Sequence, residues 1–345
     1  MDKSGNKKFL SGFIIPDDRW FLLPYYLVVF FIILTLMYYC GWVYDLISDQ
    51  CRDDTSYPIA ILKIQECYMI SIRGKKAIVT GGAMGIGLAT AKRLLSEGCD
   101  VAIWDVNAEA LKNAEKELKS HGHGKIYTYQ CDVTDNKAVL KTVRKSIEDL
   151  RRIDILINNA GIERHGRFCD KPVSEWELVI DVNLKSIFYT THAILPHMYE
   201  RNSGYIINIS SAAGIIGAAN LTAYCATKWA VWGFTESLRY EVIMDEKDIQ
   251  LTSVHPHYLK EGLFAGGHLN WFGDILLPRL KSHDVVAKAI VNKAIKKKRN
   301  TVKIPITLQI GSICRGLLPD SLLMYLGAKW FGLGKAMNDW VGYKK

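Results

Sequence analysis

Residues 76–87 read K-A-I-V-T-G-G-A-M-G-I-G, and this stretch decides the fold. The apolar run Lys76–Thr80 is a strand candidate. It passes straight into a glycine-rich loop at 80–87, and a helical pattern follows at 86–97. Glycine is needed in such a loop because a side chain would keep the backbone away from a pyrophosphate. The helix that follows adds free N–H groups and a partial positive charge. Gly81, Gly85, Ile86 and Gly87 are therefore candidate cofactor-binding residues. The next strand candidate, 101–105, ends on Asp105, whose carboxylate can accept both hydroxyls of an adenine ribose. That carboxylate would repel a phosphate on the same ribose, and no Arg or Lys lies between Thr80 and Leu88 to clamp one. The expected cofactor is NAD, with NADP disfavoured.

Further strand candidates follow at 125–131, 153–157, 205–210 and 249–255, with a seventh at 302–306. Helical patterns fill the gaps at 108–120, 136–150, 174–200 and 222–245. The strands are Val- and Ile-rich without polar alternation. They read as a parallel sheet buried on both faces, an α/β fold with helices on each side. The chain has 345 residues, 49% hydrophobic and 23% charged, enough for one large core with appendages at both ends. Its eight cysteines form no CxxC pair and no Cys/His metal spacing. Residues 281–345 carry 13 Lys/Arg against 3 Asp/Glu, whereas the first 280 carry 31 against 32. A neutral body with a basic tail argues against nucleic acid as a partner and fits a tail near anionic lipid.

The chain divides into three zones: 1–73, 74–305 and 306–345. In the first, 25 residues between Arg19 and Asp45 carry no formal charge. About 20 apolar residues span a bilayer. Trp20, Tyr25 and Tyr26 mark one end of the run and Trp42 and Tyr44 the other, as interfacial aromatics do. The expectation is an N-terminal membrane anchor, either a single span or a hairpin broken at Pro24. Counting Lys and Arg around a single span puts the main domain across the membrane from the cytosol; a hairpin returns it. The basic segment 292–300 reads either as a solvated helix face or as a lipid-headgroup contact. The apolar tail beyond Ile304 reads as a membrane-contacting or substrate-covering element.

The chemistry lies at the ends of the later strands. Asp132, beside Val133, either holds the adenine amino group or caps the next helix. The small residues of Asn158-Asn159-Ala160-Gly161 let a cofactor lie close to the backbone. Asn183 falls inside the 174–200 helix, where Asn is a poor helix former; it either completes a hydrogen-bond network or helps relay protons. Ser210 and Ser211 end the fifth strand. Tyr224 and Lys228, four residues apart, share one helix face. A tyrosine with an ordinary pKa of about 10 is a poor base at neutral pH, and a nearby ammonium would lower it. Tyr224 would then exchange a proton with a substrate hydroxyl, a contribution of roughly 10²–10⁴-fold. Lys228 would also bind the nicotinamide ribose, and Ser211 would hold the substrate oxygen.

Together the 80–87 loop, Asp105, Asp132, Asn158–Gly161, Asn183, Ser211, Tyr224 and Lys228 resemble the short-chain dehydrogenase/reductase superfamily over about 74–305. The resemblance implies a Rossmann-like, doubly wound parallel sheet of about seven strands. It also implies a catalytic tetrad of Asn183, Ser211, Tyr224 and Lys228, with the Asn holding a water that connects Lys to solvent. The sequence Y-C-A-T-K-W-A-V-W-G-F-T-E-S-L-R-Y-E at 224–241, the G-L-F-A-G segment at 262–266, the N-terminal apolar run and the tail ending V-G-Y-K-K look like one membrane-bound branch. That branch includes epidermal retinol dehydrogenases and lipid-droplet 17β-hydroxysteroid dehydrogenases. The likeness implies a small hydrophobic alcohol or carbonyl substrate, retinol or retinal first and a hydroxysteroid next. It implies a place on the endoplasmic reticulum or lipid-droplet surface, usually facing the cytosol, and a homodimer face on the long helices.

Two positions depart from the family pattern. His257 stands where glycine usually follows the proline of the sixth strand, and Glu261 stands where a nicotinamide-contacting threonine is common. They support an opposing reading, a lipid-surface protein with a largely non-catalytic domain. His257 and His268 lack any partner pattern for a metal. In the loop 257–280, Leu259, Leu263, Phe264, Leu269, Trp271, Phe272, Ile275 and Leu276 are expected to line an apolar substrate pocket.

Overall fold

The computed structural model describes residues 69–337 except 123, 268 and 336. The apolar run at 20–44, and with it the expected anchor, lies outside the described residues. Among the described residues, no helix is long and apolar enough to cross a membrane.

Seven strands form one parallel sheet in the order β3-β2-β1-β4-β5-β6-β7. In chain order they are β1 (Lys76–Thr80), β2 (Asp100–Asp105), β3 (Ile126–Gln130), β4 (Ile155–Asn158), β5 (Gly204–Ile209), β6 (Ile249–Pro256) and β7 (Thr301–Ile304). The connecting helices are α1 (Gly85–Ser96), α2 (Ala108–Leu118), α3 (Asn136–Leu150), α4 (Val173–Ile180), α5 (Ser186–Glu200), α6 (Thr222–Met244), α7 (Trp271–Leu276) and α8 (His283–Ala289). After β7 come α9 (Ile306–Leu317) and α10 (Asp320–Lys329). The seventh strand ends at Ile304, two residues earlier than the sequence suggested, because Pro305 has no N–H to continue the ladder and stands at the N-cap of α9.

The sheet is apolar on both faces because each face is covered. In β1, Ala77 and Val79 pack with Leu94, Leu95 and Ile290, while Ile78 faces Val139, Val143, Ile194 and Met198. Trp104 is fully buried on the second face, and its ring N–H donates to Ser146 Oγ at 3.2 Å, so its one polar atom is satisfied. The strand order reverses at β1, which pairs β2 on one side and β4 on the other. The ends of these two strands part there and open a crevice, the usual ligand position in an open α/β sheet.

Three expectations need correction. The single helix over 174–200 is interrupted: a π-helical turn, Asp181–Lys185, joins α4 to α5. The extra residue in this wide turn turns Asn183 inward. The basic stretch 292–300 is not simply a solvated face. It begins inside a π-helical turn, Ile290–Lys296, whose Val291, Ala294 and Ile295 are core residues. Its Lys296 pairs with Glu97 at 3.0 Å. The loop 257–280 also only partly lines a pocket. Trp271 and Ile275 are 76% and 66% exposed. Phe272 turns to the tail, stacking on Phe331 at 6.0 Å. The tail in turn packs on the domain: Met337 is buried in a cluster with Tyr224, Cys225 and Phe264.

Candidate active site

A cavity of about 590 Å³ opens over the carboxyl ends of the strands. Gly81, Gly85, Ile86, Asp105, Asp132, Val133 and Asn159 line one end, and Ser211, Tyr224, Lys228, Leu263 and Phe264 the other.

The glycine loop is folded tightly on itself. Gly81 has a φ of +60°, and a Cβ on Gly87 would lie 2.1 Å from the Gly81 carbonyl oxygen. No larger residue fits at Gly87. The Asn159 side chain braces this loop by donating to the carbonyls of Thr80 and Gly81, each at 3.0 Å. Thr80 Oγ1 accepts from the backbone N–H groups of Asn159 and Ala160. Asn159 thus shapes the loop, and its amide donor is committed to the protein. Met84 precedes α1 without a side-chain cap, so the helix presents its N-terminal amides at the loop. Asp105 accepts from the Ala83 N–H at 3.2 Å and the Asn107 N–H at 3.1 Å, which holds its carboxylate beside the same loop. Asp132 folds a local turn by accepting from Thr134 N–H and Oγ1. The helix cap, one of its two sequence readings, belongs instead to Asp135, which accepts from the Lys137 N–H. Cradle, helix terminus and ribose-side carboxylate fit a dinucleotide without a phosphate on its adenine ribose.

At the other end, α6 places Tyr224 and Lys228 on one face. The Lys228 ammonium lies 5.5 Å from the centre of the Tyr224 ring and donates to the Ile209 carbonyl at 2.9 Å. Ser211 Oγ accepts from the Ala213 N–H, and a bond from Ser211 pulls the Tyr224 phenol downward. Burial outweighs that bond and holds the phenol above its ordinary range. Burial also pushes Lys228 down to about 8. Burial therefore works against the acidification of Tyr224 expected from Lys228. A buried site disfavours both charged forms, and desolvation dominates the amine's influence.

Asn183 reaches this end through the wide turn. Its Oδ1 accepts from the Ile162 N–H at 2.8 Å, and its Nδ2 donates to the Ile162 carbonyl at 2.9 Å and to Thr227 Oγ1 at 3.3 Å. A Cβ on Gly161 would lie 3.4 Å from Asn183 Oδ1 and 3.6 Å from Lys228 Nζ, so the two side chains converge there. These three bonds make the hydrogen-bond network that was one of the two sequence readings for Asn183.

Several contacts around the site carry no sequence signal. Asn158, fully inside the sheet, bonds Thr190, Thr191 and Asn208, and Asn208 continues to Thr235. This polar ladder ties β4 and β5 to α5 and α6 beneath the site. His255 is matched at both ring nitrogens, by the Ser211 carbonyl and Ser253 Oγ, and burial drives it down to about 3, so it is neutral. Glu163 is 1% exposed with neither carboxyl oxygen hydrogen-bonded, and burial raises it to about 8. Glu261, the second departure, accepts from the His283 N–H at 2.7 Å and meets the His283 ring at 2.8 Å. Among the described residues, no group of three His, Cys, Asp or Glu could hold a metal ion.

A family model described as short chain dehydrogenase matches residues 75–266. Among curated proteins, the chain is 30% identical to a bovine short-chain dehydrogenase/reductase of family 16C, over 79% of this chain and 85% of that protein. It is 30% identical to human epidermal retinol dehydrogenase 2, over 80% of this chain and 88% of the relative. Among solved structures, NAD+-bound xylitol dehydrogenase superposes with a TM-score of 0.61 at 28% identity, covering 68% of this chain and 99% of that one.

Proposed function

The chain belongs to the short-chain dehydrogenase family, on its retinol dehydrogenase-like branch, and from that premise we propose its reaction. It is an NAD-dependent oxidoreductase. In our reading it oxidises the hydroxyl of a small hydrophobic alcohol, retinol first. The observation that carries this is the meeting of Tyr224, Ser211 and Lys228 at the apolar end of the cavity whose other end is the glycine loop and Asp105.

Gly81, Gly85, Ile86 and Gly87 would hold the pyrophosphate, Asp105 the adenine ribose, and Asp132, Val133 and Asn159 would line the adenine side. When bound, NAD supplies the hydride acceptor. The Ser211 hydroxyl would hold the substrate oxygen, and Tyr224, once its own phenol proton has passed to solvent, would take the substrate's hydroxyl proton as the hydride leaves the carbon for the cofactor. Lys228 would hold the nicotinamide ribose and, beside the Tyr224 ring, would favour the phenolate once positive charge enters the cleft. Asn183 fixes the backbone at Ile162, beside Gly161, where its side chain and that of Lys228 converge. Because Tyr224 rests well above neutral pH, proton transfer from substrate depends on that added charge.

We further assign residues 1–73 to a membrane anchor and linker, 74–305 to the dehydrogenase domain and 306–345 to a covering tail. The anchor would hold the enzyme on the endoplasmic reticulum or lipid droplets, where an apolar alcohol is concentrated, and a homodimer would form through the long helices. The uncharged run at 20–44 and the basic tail support this placement. The test is a screen of detergent-solubilised full chain with retinol, hydroxysteroids and long-chain alcohols, each with NAD and NADP. NADH formation with at least one class is expected. Failure with all three classes would refute the reading.

A further inference from the structure

We propose that His257 is a specificity-determining residue that receives a second oxygen of the substrate, so that the preferred alcohol is an apolar molecule with two oxygens. The inference rests on the catalytic reading above and shifts its first choice of substrate from retinol, which has a single oxygen, to a hydroxysteroid-like alcohol.

His257 follows Pro256, the last residue of β6, and lines the cavity. Its backbone N–H donates to the Ile304 carbonyl at 2.8 Å, which fixes the residue at the sheet end. Its side chain is 6% exposed in the fold, yet neither ring nitrogen completes a hydrogen bond. His255, two residues earlier and on β6 itself, is also deeply buried and has both nitrogens matched. The fold can therefore satisfy an imidazole here and leaves this one open. A buried polar atom without a partner costs stability. A side chain kept in that condition on a cavity wall is explained by a partner that arrives with the ligand.

The ring contacts indicate which ligand. His257 meets Tyr258 at 4.9 Å, Tyr258 meets Phe264 at 5.6 Å, and Phe264 meets Tyr224 at 5.2 Å. This aromatic wall begins at the phenol that would take the substrate proton and ends at the open imidazole. An apolar body along the wall, with its reacting hydroxyl at Tyr224 and Ser211, brings a second oxygen to His257. Burial holds the ring down to about 4, so it is neutral at physiological pH and offers one N–H donor and one acceptor. Asp274 and the Leu277 backbone pull the other way without offsetting burial, and Arg279, paired to Asp274 at 3.4 Å, opposes them. A neutral donor–acceptor beside a carboxylate suits a carbonyl or hydroxyl oxygen rather than an anion. Glu163, also buried with its oxygens unbonded, is not on the cavity wall, and no ligand is assigned to it.

The test compares wild type, His257→Leu and His257→Gln with two probes: a hydroxysteroid bearing a second, keto oxygen, and the same carbon skeleton without it. Two readouts are taken: the rise in melting temperature of the NAD-saturated protein, and kcat/KM. Wild type should favour the two-oxygen probe by roughly 10-fold or more. His257→Leu should lose that preference, and His257→Gln should recover part of it. Without ligands, His257→Leu should melt at or above the wild-type temperature, since it replaces an unsatisfied polar ring by an apolar side chain; a structural histidine would give a fall. An unchanged preference in His257→Leu overturns the proposal, as does wild type that neither probe stabilises. An equal loss of NAD affinity in His257→Leu overturns it too, by assigning the ring to the cofactor. Should His257→Leu fail to fold, His257→Gln against wild type decides with the same probe pair. Preferential stabilisation without NADH formation would refute the catalytic reading and leave this inference standing.

Discussion

Asn183 grips the backbone of Ile162 from both sides, accepting from its N–H at 2.8 Å and donating to its carbonyl at 2.9 Å. The grip crosses from a π-helical turn to the loop after β4, and it sets Gly161 beside Lys228. Asn183→Ala should leave both backbone groups without partners and cost about 1–3 kcal/mol of stability. It should lower kcat more than it raises KM, because the loop beside Lys228 loosens. Denaturant melts and steady-state kinetics check this. An unchanged kcat would show that the grip does not position the site.

Asp105 should decide the cofactor. Its carboxylate is held beside the glycine loop by the Ala83 and Asn107 amides. Asp105→Ser should weaken NAD binding by about 10-fold or more and remove the repulsion against NADP, narrowing the gap between them. Calorimetric titration of both cofactors checks it. A variant that keeps the wild-type preference would place the ribose elsewhere.

Glu163 should make stability fall as pH rises. Its folded-state value is raised from 4.5 to about 8, chiefly by burial. Below about 4.5 both folded and unfolded chains keep the proton and the group has no effect. Between there and about 8 the unfolded chain releases the proton while the folded chain holds it, so unfolding is favoured. The loss is on the order of 4–5 kcal/mol at most, at about 1.4 kcal/mol per pH unit. Glu163→Gln should flatten this slope and melt higher than wild type at pH 8. Melts across the range check it, and an unchanged slope would assign the dependence to other groups.

These groups differ in how far the sequence discloses them. The strands were legible because a sheet buried on both faces must be built from unbroken apolar runs, as at Ile78–Val79 and Ile155–Ile157. The glycine loop and Asp105 were legible because close approach to a pyrophosphate admits few residue types at fixed spacing. The wide turn at Asp181–Lys185 was not, since one inserted residue barely disturbs a helical apolar period. Glu163 and the Asn158–Asn208 ladder gave no signal, because burial and pairing of polar groups are tertiary facts. The loop 257–280 misled: Trp271 and Ile275 read as pocket lining and point to solvent. His257 stood out as a departure, but its open nitrogens appear only once the sheet end is assembled.

The central claim is that the Tyr224 hydroxyl exchanges the substrate proton beside bound NAD. It is tested most directly by Tyr224→Phe, followed at once by NAD binding and by NADH formation with a turned-over alcohol. The account predicts NAD affinity within about twofold of wild type and NADH formation reduced by roughly 10²-fold or more. A variant that binds NAD and still forms NADH at near the wild-type rate would contradict it.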